Sequence, residues 1–166
     1  MAYHPFEFTG LVERHEFKRF GYTVVYLPVS MEDELPLHKN PRLRVEAEVR
    51  EVEMNIALQP AGGRWYLTLS RRVLRETGLE LGDEVRVRLR VADQDAVDVP
   101  AELLTGLAAD AKASATWATL TPGKKRGFAY RVSSAKRPET RAKRLAEVLG
   151  ELSGTRRPKK RRGRFG

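Results

Sequence analysis

The stretch YLTLSRRVLRETGLELGDEVRVRLR, residues 66–90, decides the fold class of the first half of this chain. Tyr66 to Leu69 is apolar and aromatic, as strands are. Ser70 is suited to cap a helix opening at Arg71, and Gly78 to stop it in the left-handed conformation. Gly82-Asp83 makes a turn. Val85-Arg86-Val87-Arg88-Leu89-Arg90 then alternates apolar and charged residues, which predicts a strand with one buried and one wet face. The unit is strand, short helix, tight turn, strand.

Working outward, the same order occurs upstream. Val25-Tyr26-Leu27-Pro28 leads through a short polar stretch to the alternating Arg44-Val45-Glu46-Ala47-Glu48-Val49. Period-two patterning dominates from Phe6 to Val91, and Pro60-Ala61-Gly62-Gly63 reads as a turn between strands. About six short strands with one buried face each would leave exposed edges in an open sheet. The expectation for residues 1–95 is therefore a small closed β-barrel with a pseudo-two-fold strand–helix–strand repeat.

After residue 95 the pattern becomes helical. Asp98 and Pro100 predict one helix start, Asp110 a second and Thr121-Pro122 a third. Phe128, Val132 and Ala135 share a face of the third helix. A last helix runs from Pro138 to about Leu152, with Ala142, Leu145, Val148, Leu149 and Leu152 as its apolar stripe and Gly154 as its end. The fold class is α+β: barrel 1–95, helical domain 96–154 and a basic tail 155–166, too charged to fold alone.

Charge is divided unevenly. Residues 1–97 hold 14 Lys+Arg and 16 Asp+Glu, whereas residues 98–166 hold 17 and 6. Such asymmetry points to an anionic partner for the second half, a nucleic acid or a membrane surface. There is no cysteine, which removes disulfides and thiolate chemistry. No signal peptide and no apolar run of membrane-spanning length are visible, so a cytoplasmic location is expected. Excess arginine over lysine suggests a GC-rich bacterial genome.

Two phrases resemble known families. Leu67 to Val85, with its Gly78-Leu79-Glu80-Leu81-Gly82-Asp83-Glu84-Val85 ending, is similar to the swapped-hairpin unit of AbrB/MazE-type proteins. It departs from them in having Thr77-Gly78 for the first Leu-Gly pair and Ser70 for the usual proline. That resemblance implies DNA binding and a homodimer. Trp117 to Arg126 and Ser134 to Leu145 together resemble the YdeI/OmdA-type bacteriocin-protection family, whose members share a Leu-x-Pro, basic, Ala-Lys-x-x-Glu-Thr-Arg-x-x-Arg phrase. The first half is similar to the domain of unknown function that often precedes it. This second resemblance covers roughly residues 6 to 152 and implies a role in bacteriocin protection or stress tolerance, with no established reaction.

Candidate contacts for a nucleic acid are Lys124, Lys125, Arg126, Lys136, Arg137, Arg141 and Arg144, together with the tail residues Arg156, Arg157, Lys159, Lys160, Arg161, Arg162 and Arg164. Nothing among them reads base identity, so the binding expected is non-specific and salt-sensitive. Arg141 falls within the apolar stripe of its helix, where a charge must meet either a paired acid or a ligand. The alternative function is a stress-response or bacteriocin-tolerance module holding a small ligand in or beside the barrel, with Tyr22, Tyr26, Trp65 and Tyr66 as candidate lining. No catalytic residue, cofactor or metal is expected. His4, His15 and His38 lack ligand spacing, Glu32, Asp33 and Glu34 cluster without a visible base, and Gly62-Gly63 is no phosphate loop.

Overall fold

The computed structural model describes residues 3–158. The expected tail residues Lys159, Lys160, Arg161, Arg162 and Arg164 lie outside them. The chain divides into two compact units, residues 1–94 and 95–166.

The first unit holds eight strands and two short helices: β1 (Phe6–Leu11), β2 (Glu13–Phe17), β3 (Phe20–Tyr26), α1 (Val29–Glu32), β4 (Arg44–Val49), β5 (Val52–Ala57), β6 (Gln59–Ala61), β7 (Arg64–Thr68), α2 (Arg71–Thr77) and β8 (Glu84–Val91). They form two antiparallel four-stranded sheets, ordered β1-β8-β4-β5 and β2-β3-β7-β6. This corrects the closed barrel of about six strands, because neither sheet closes on itself or pairs with the other. The reason lies at two corners. Val12 interrupts the run from β1 to β2, and its N–H and C=O bond to the Gly82-Asp83 turn instead of to a strand. Leu58 interrupts β5 and β6 and donates to the Leu43 carbonyl. At each corner the chain leaves one ladder and joins another, as strands do where two packed sheets meet.

Both sheets face one core. Val45, Val49, Val87 and Leu89 from the first sheet meet Val25 and Leu67 from the second, and Leu27, Leu37, Leu43 and Leu58 fill the corners; all are fully buried. Each such side chain contributes about 1.5–3 kcal/mol. Packing is tight enough that a Cβ on Gly10 would lie 2.7 Å from Val25 Cγ1. Local signals set the short elements. The Ser70 hydroxyl accepts from the Val73 N–H at 3.2 Å, and Gly78 ends α2 at φ 69°. The turn between β6 and β7 is only Gly62-Gly63, at φ 57° and 77°; Pro60 and Ala61 belong to β6 and pair with Trp65 and Arg64.

Among the described residues the second unit holds four helices: α3 (Ala101–Ala109), α4 (Ala111–Thr119), α5 (Pro122–Ser133) and α6 (Pro138–Ser153). Asp110 caps α4 by accepting from the Lys112 and Ala113 N–H groups, Thr121 caps α5, and Gly154 closes α6 at φ 79°. Pro100, not Asp98, occupies the cap position of α3, which has no side-chain cap. The core is Leu103, Leu107, Ala113, Ala129, Val132, Val148 and Leu152. Ala142 is exposed and does not join the stripe of α6, whereas Glu147 is buried beside Val148. A Cβ on Gly106 would meet Leu149 at 2.6 Å, so α3 and α6 approach closely there.

Candidate functional site

In the second unit the expected basic patch separates into two groups. Lys124, Lys125 and Arg126 sit in the first half of α5, whereas Lys136 and Arg137 lie in the loop after it. The seven to nine residues from the first group to the end of α5 at Ser133, at 1.5 Å each, put about 11–14 Å of helix between them. Lys124, Lys136, Arg137, Arg156 and Arg157 are exposed. Lys125 lies over the Trp117 ring at 5.9 Å, and Arg126 donates to the Ala96 carbonyl at 2.9 Å.

Arg141 and Arg144 serve the fold. Helix α5 ends with unpaired carbonyls, which cations satisfy well. Arg141 Nη1 donates to the Ser133 and Ala135 carbonyls at 3.0 and 3.3 Å, while its Nε donates to Glu102 Oε1 on α3 at 2.7 Å. Arg144 Nη1 donates to the Arg131 carbonyl and to Ser134 Oγ, both at 3.1 Å. Of the two alternatives for Arg141, the paired acid is the one present. The spacing Arg-x-x-Arg puts both guanidinium groups on one face of α6, above the end of α5. Glu102 is held below the ordinary carboxylate range by its own backbone N–H at the start of α3, and then by Arg141.

A second ion cluster was missed in the sequence. Arg131 on α5 donates through Nη1 and Nη2 to the two carboxylate oxygens of Glu151, at 2.8 Å each, and stands 3.8 Å from Glu147. Both glutamates are buried on α6. Their i, i+4 spacing beside an apolar stripe was the available signal. These bonds hold the Arg131 guanidinium above its usual pKa, with the Glu151 hydrogen bond the main cause.

In the first unit the outer faces of the sheets differ. The β1-β8-β4 face carries a ladder of opposite charges: Arg86 and Arg88 on Glu7, Arg88 also on Glu48, and Arg90 on Glu46. Its grooves, of about 260 and 350 Å³, are lined by His4, Glu46, Glu53, Asn55 and Arg90 in one and by Glu48, Arg50, Glu84, Arg86 and Arg88 in the other. Exposed pairs of this kind contribute about 0–1 kcal/mol each.

The other sheet carries an aromatic face. Directly opposed residues in an antiparallel pair point to the same side, and here the opposed pairs are Phe17 with Phe20, His15 with Tyr22, and Tyr26 with Tyr66. His15 Nδ1 and the Tyr26 hydroxyl share a hydrogen bond at 2.7 Å, and the His15 ring lies 4.7 Å from that of Tyr66. The Arg64 guanidinium covers the Tyr26 ring at 4.6 Å. Burial, and then the neighbouring Tyr22 and Tyr26 phenols, push the Tyr66 pKa up, with Arg42 pulling it down. Tyr22, Tyr26 and Tyr66 thus come together, but Trp65 does not join them. As the neighbour of Tyr66 on one strand it faces the other way, packs on the core and donates to the Pro41 carbonyl at 2.8 Å. Such a face can stack flat rings and offer phenol and imidazole hydrogen bonds.

Among the described residues no group of three or more His, Asp or Glu could hold a metal ion, and no helix is long and apolar enough to cross a membrane. In comparisons with known proteins, residues 96–154 match the family model described as "Bacteriocin-protection, YdeI or OmpD-Associated". Residues 8–89 match "Domain of unknown function (DUF1905)". No curated protein matches the chain.

Proposed function

Because the chain belongs to the YdeI/OmdA bacteriocin-protection family, with a DUF1905 domain preceding its OmdA domain, we propose that it contributes to that protection as a non-enzymatic accessory protein of the bacterial cytoplasm. In this reading it holds nucleic acid without sequence preference, through the basic surface of its helical unit and the tail. The supporting observation is how that unit uses most of its acids. Glu102 is taken by Arg141, Glu147 and Glu151 by Arg131, and Asp110 by the start of α4, while Asp95, Asp98 and Glu139 stay at the surface and are outnumbered there by cations. Exposed Lys124, Lys136, Arg137, Lys143, Arg156 and Arg157 then set the sign of the surface field. A field of one sign raises the local concentration of a polyanion and releases its counterions on contact.

The test is binding of a labelled duplex across a salt series. Each phosphate neutralised contributes about −0.9 to the slope of log K against log salt, so a contact of four to six phosphates predicts a slope of roughly −4 to −5. Ending the chain at Pro158 should flatten it. A full-length protein that leaves both the duplex and a single strand of equal charge unbound in dilute buffer refutes the proposal.

A further inference from the structure

We propose that the aromatic face of the β2-β3-β7-β6 sheet is a stacking platform for unpaired bases, so that the nucleic acid held is single-stranded. The inference rests on the nucleic-acid reading above and narrows it. Three of the five tyrosines in the chain share this face, with His15 and two phenylalanines; Tyr66 and Val24 on it are buried, so the part a base can reach is the end formed by Phe17, Phe20 and Tyr22. A core role does not account for the outermost pair, since Phe17 is 41% and Phe20 52% exposed. Their two-residue connection is Lys18-Arg19, both exposed, and Lys18 Nζ stands 5.6 Å from the Phe17 ring. At the other end Arg64 covers Tyr26, and the charge of Arg42 acts on Tyr66. Cations therefore bracket the aromatic rows at both ends, with Glu13 the acid opposite Val24 between them.

Geometry separates single strands from duplexes. Phe20 and Tyr22 are alternate residues of β3, about 6.7 Å apart at the strand rise, a spacing that an extended single strand can follow. Flat rings on a sheet accept any base with a free π-face, and phosphates settle on flanking lysine and arginine. In a duplex those π-faces are stacked on each other, and a four-stranded sheet is too broad to enter a groove. A peptide would find no free ladder on the face itself, only side chains.

The experiment uses full-length protein with a fluorescein-labelled 15-nucleotide oligothymidine and a hairpin duplex of equal charge. Single-strand binding should quench tyrosine fluorescence in the unmodified protein. Phe20→Ala and Tyr22→Ala should each weaken single-strand affinity about tenfold. Tyr22→Phe should keep it, and duplex affinity should be unmoved by all three. If the alanine variants bind the single strand as tightly as the parent, the platform is refuted while the charge-driven reading stands. If neither nucleic acid binds at all, both fail. If phosphatidylglycerol vesicles bind instead and lose that binding on Phe20→Ala, the face is a lipid contact and the inference is overturned.

Discussion

Replacing Arg131 by Met should unfold the helical unit at a much lower temperature. The side chain fits the volume but removes the charge that faces Glu147 and Glu151, whose side chains are 4% and 5% exposed. Breaking a buried ion pair from one side costs about 3–5 kcal/mol, because the remaining charge is buried and uncompensated. Arg131 is itself 29% exposed, so water can reach the gap, and neither glutamate depends on Arg131 alone. The lower limit of about 3 kcal/mol is therefore the expected cost. For a unit of this size each kcal/mol moves Tm by about 4–8 °C, which gives a fall of roughly 12–24 °C. Differential scanning calorimetry on the full chain reads it. Combining Arg131→Met with Glu147→Gln and Glu151→Gln should recover most of the loss, since the stranded charge goes with its partner. A single variant that melts within about 3 °C of the parent would show that the cluster is solvated and structurally idle.

Two further outcomes follow from local geometry. Gly10→Ala pushes a methyl group against Val25, a fully buried β-branched residue with no room to turn; urea unfolding should show a loss of about 1–3 kcal/mol, and an unchanged midpoint would place slack in that corner. Glu102 has a lowered pKa, so the fold prefers its charged form. Its stabilisation is complete above the ordinary value of 4.5 and is lost as pH falls below it. Between about pH 6 and pH 3 the parent should lose more Tm than Glu102→Gln, and parallel curves would remove Glu102 from the account.

The parts legible in the sequence were those written within a few neighbouring residues. Ser70, Gly78, Asp110, Thr121 and Gly154 each act on backbone groups at most four residues away, and each occupies the cap it predicts. The corners at Val12 and Leu58 were not legible, because what happens there depends on Asp83 and Leu43, far along the chain. Hence the alternation predicts about six strands in a ring where the described residues form eight strands in two sheets. At the candidate site Tyr22, Tyr26 and Tyr66 were found by residue type, but their partner His15 emerges only from strand register. Trp65 could have been excluded from alternation alone. In the helical unit, Arg141 stood out as a charge among apolar neighbours, yet its carbonyl partners follow from the tight α5–α6 loop and not from any residue pattern.

The pairing of the first strand with the last governs how this protein can be made. Phe6 lies opposite Leu89, so on a ribosome adding about 5–20 residues per second β1 waits roughly 4–17 s for its partner to be synthesised. Through that interval Phe8, Val12 and Val25 have no completed interior to enter, and their apolar surface stays open to water. The helical unit also waits for its last helix, but Gly106 and Leu149 are only about half as far apart along the chain as Phe6 and Leu89, so its wait is shorter. Slowing translation should therefore prolong the exposure of the first unit more than that of the second.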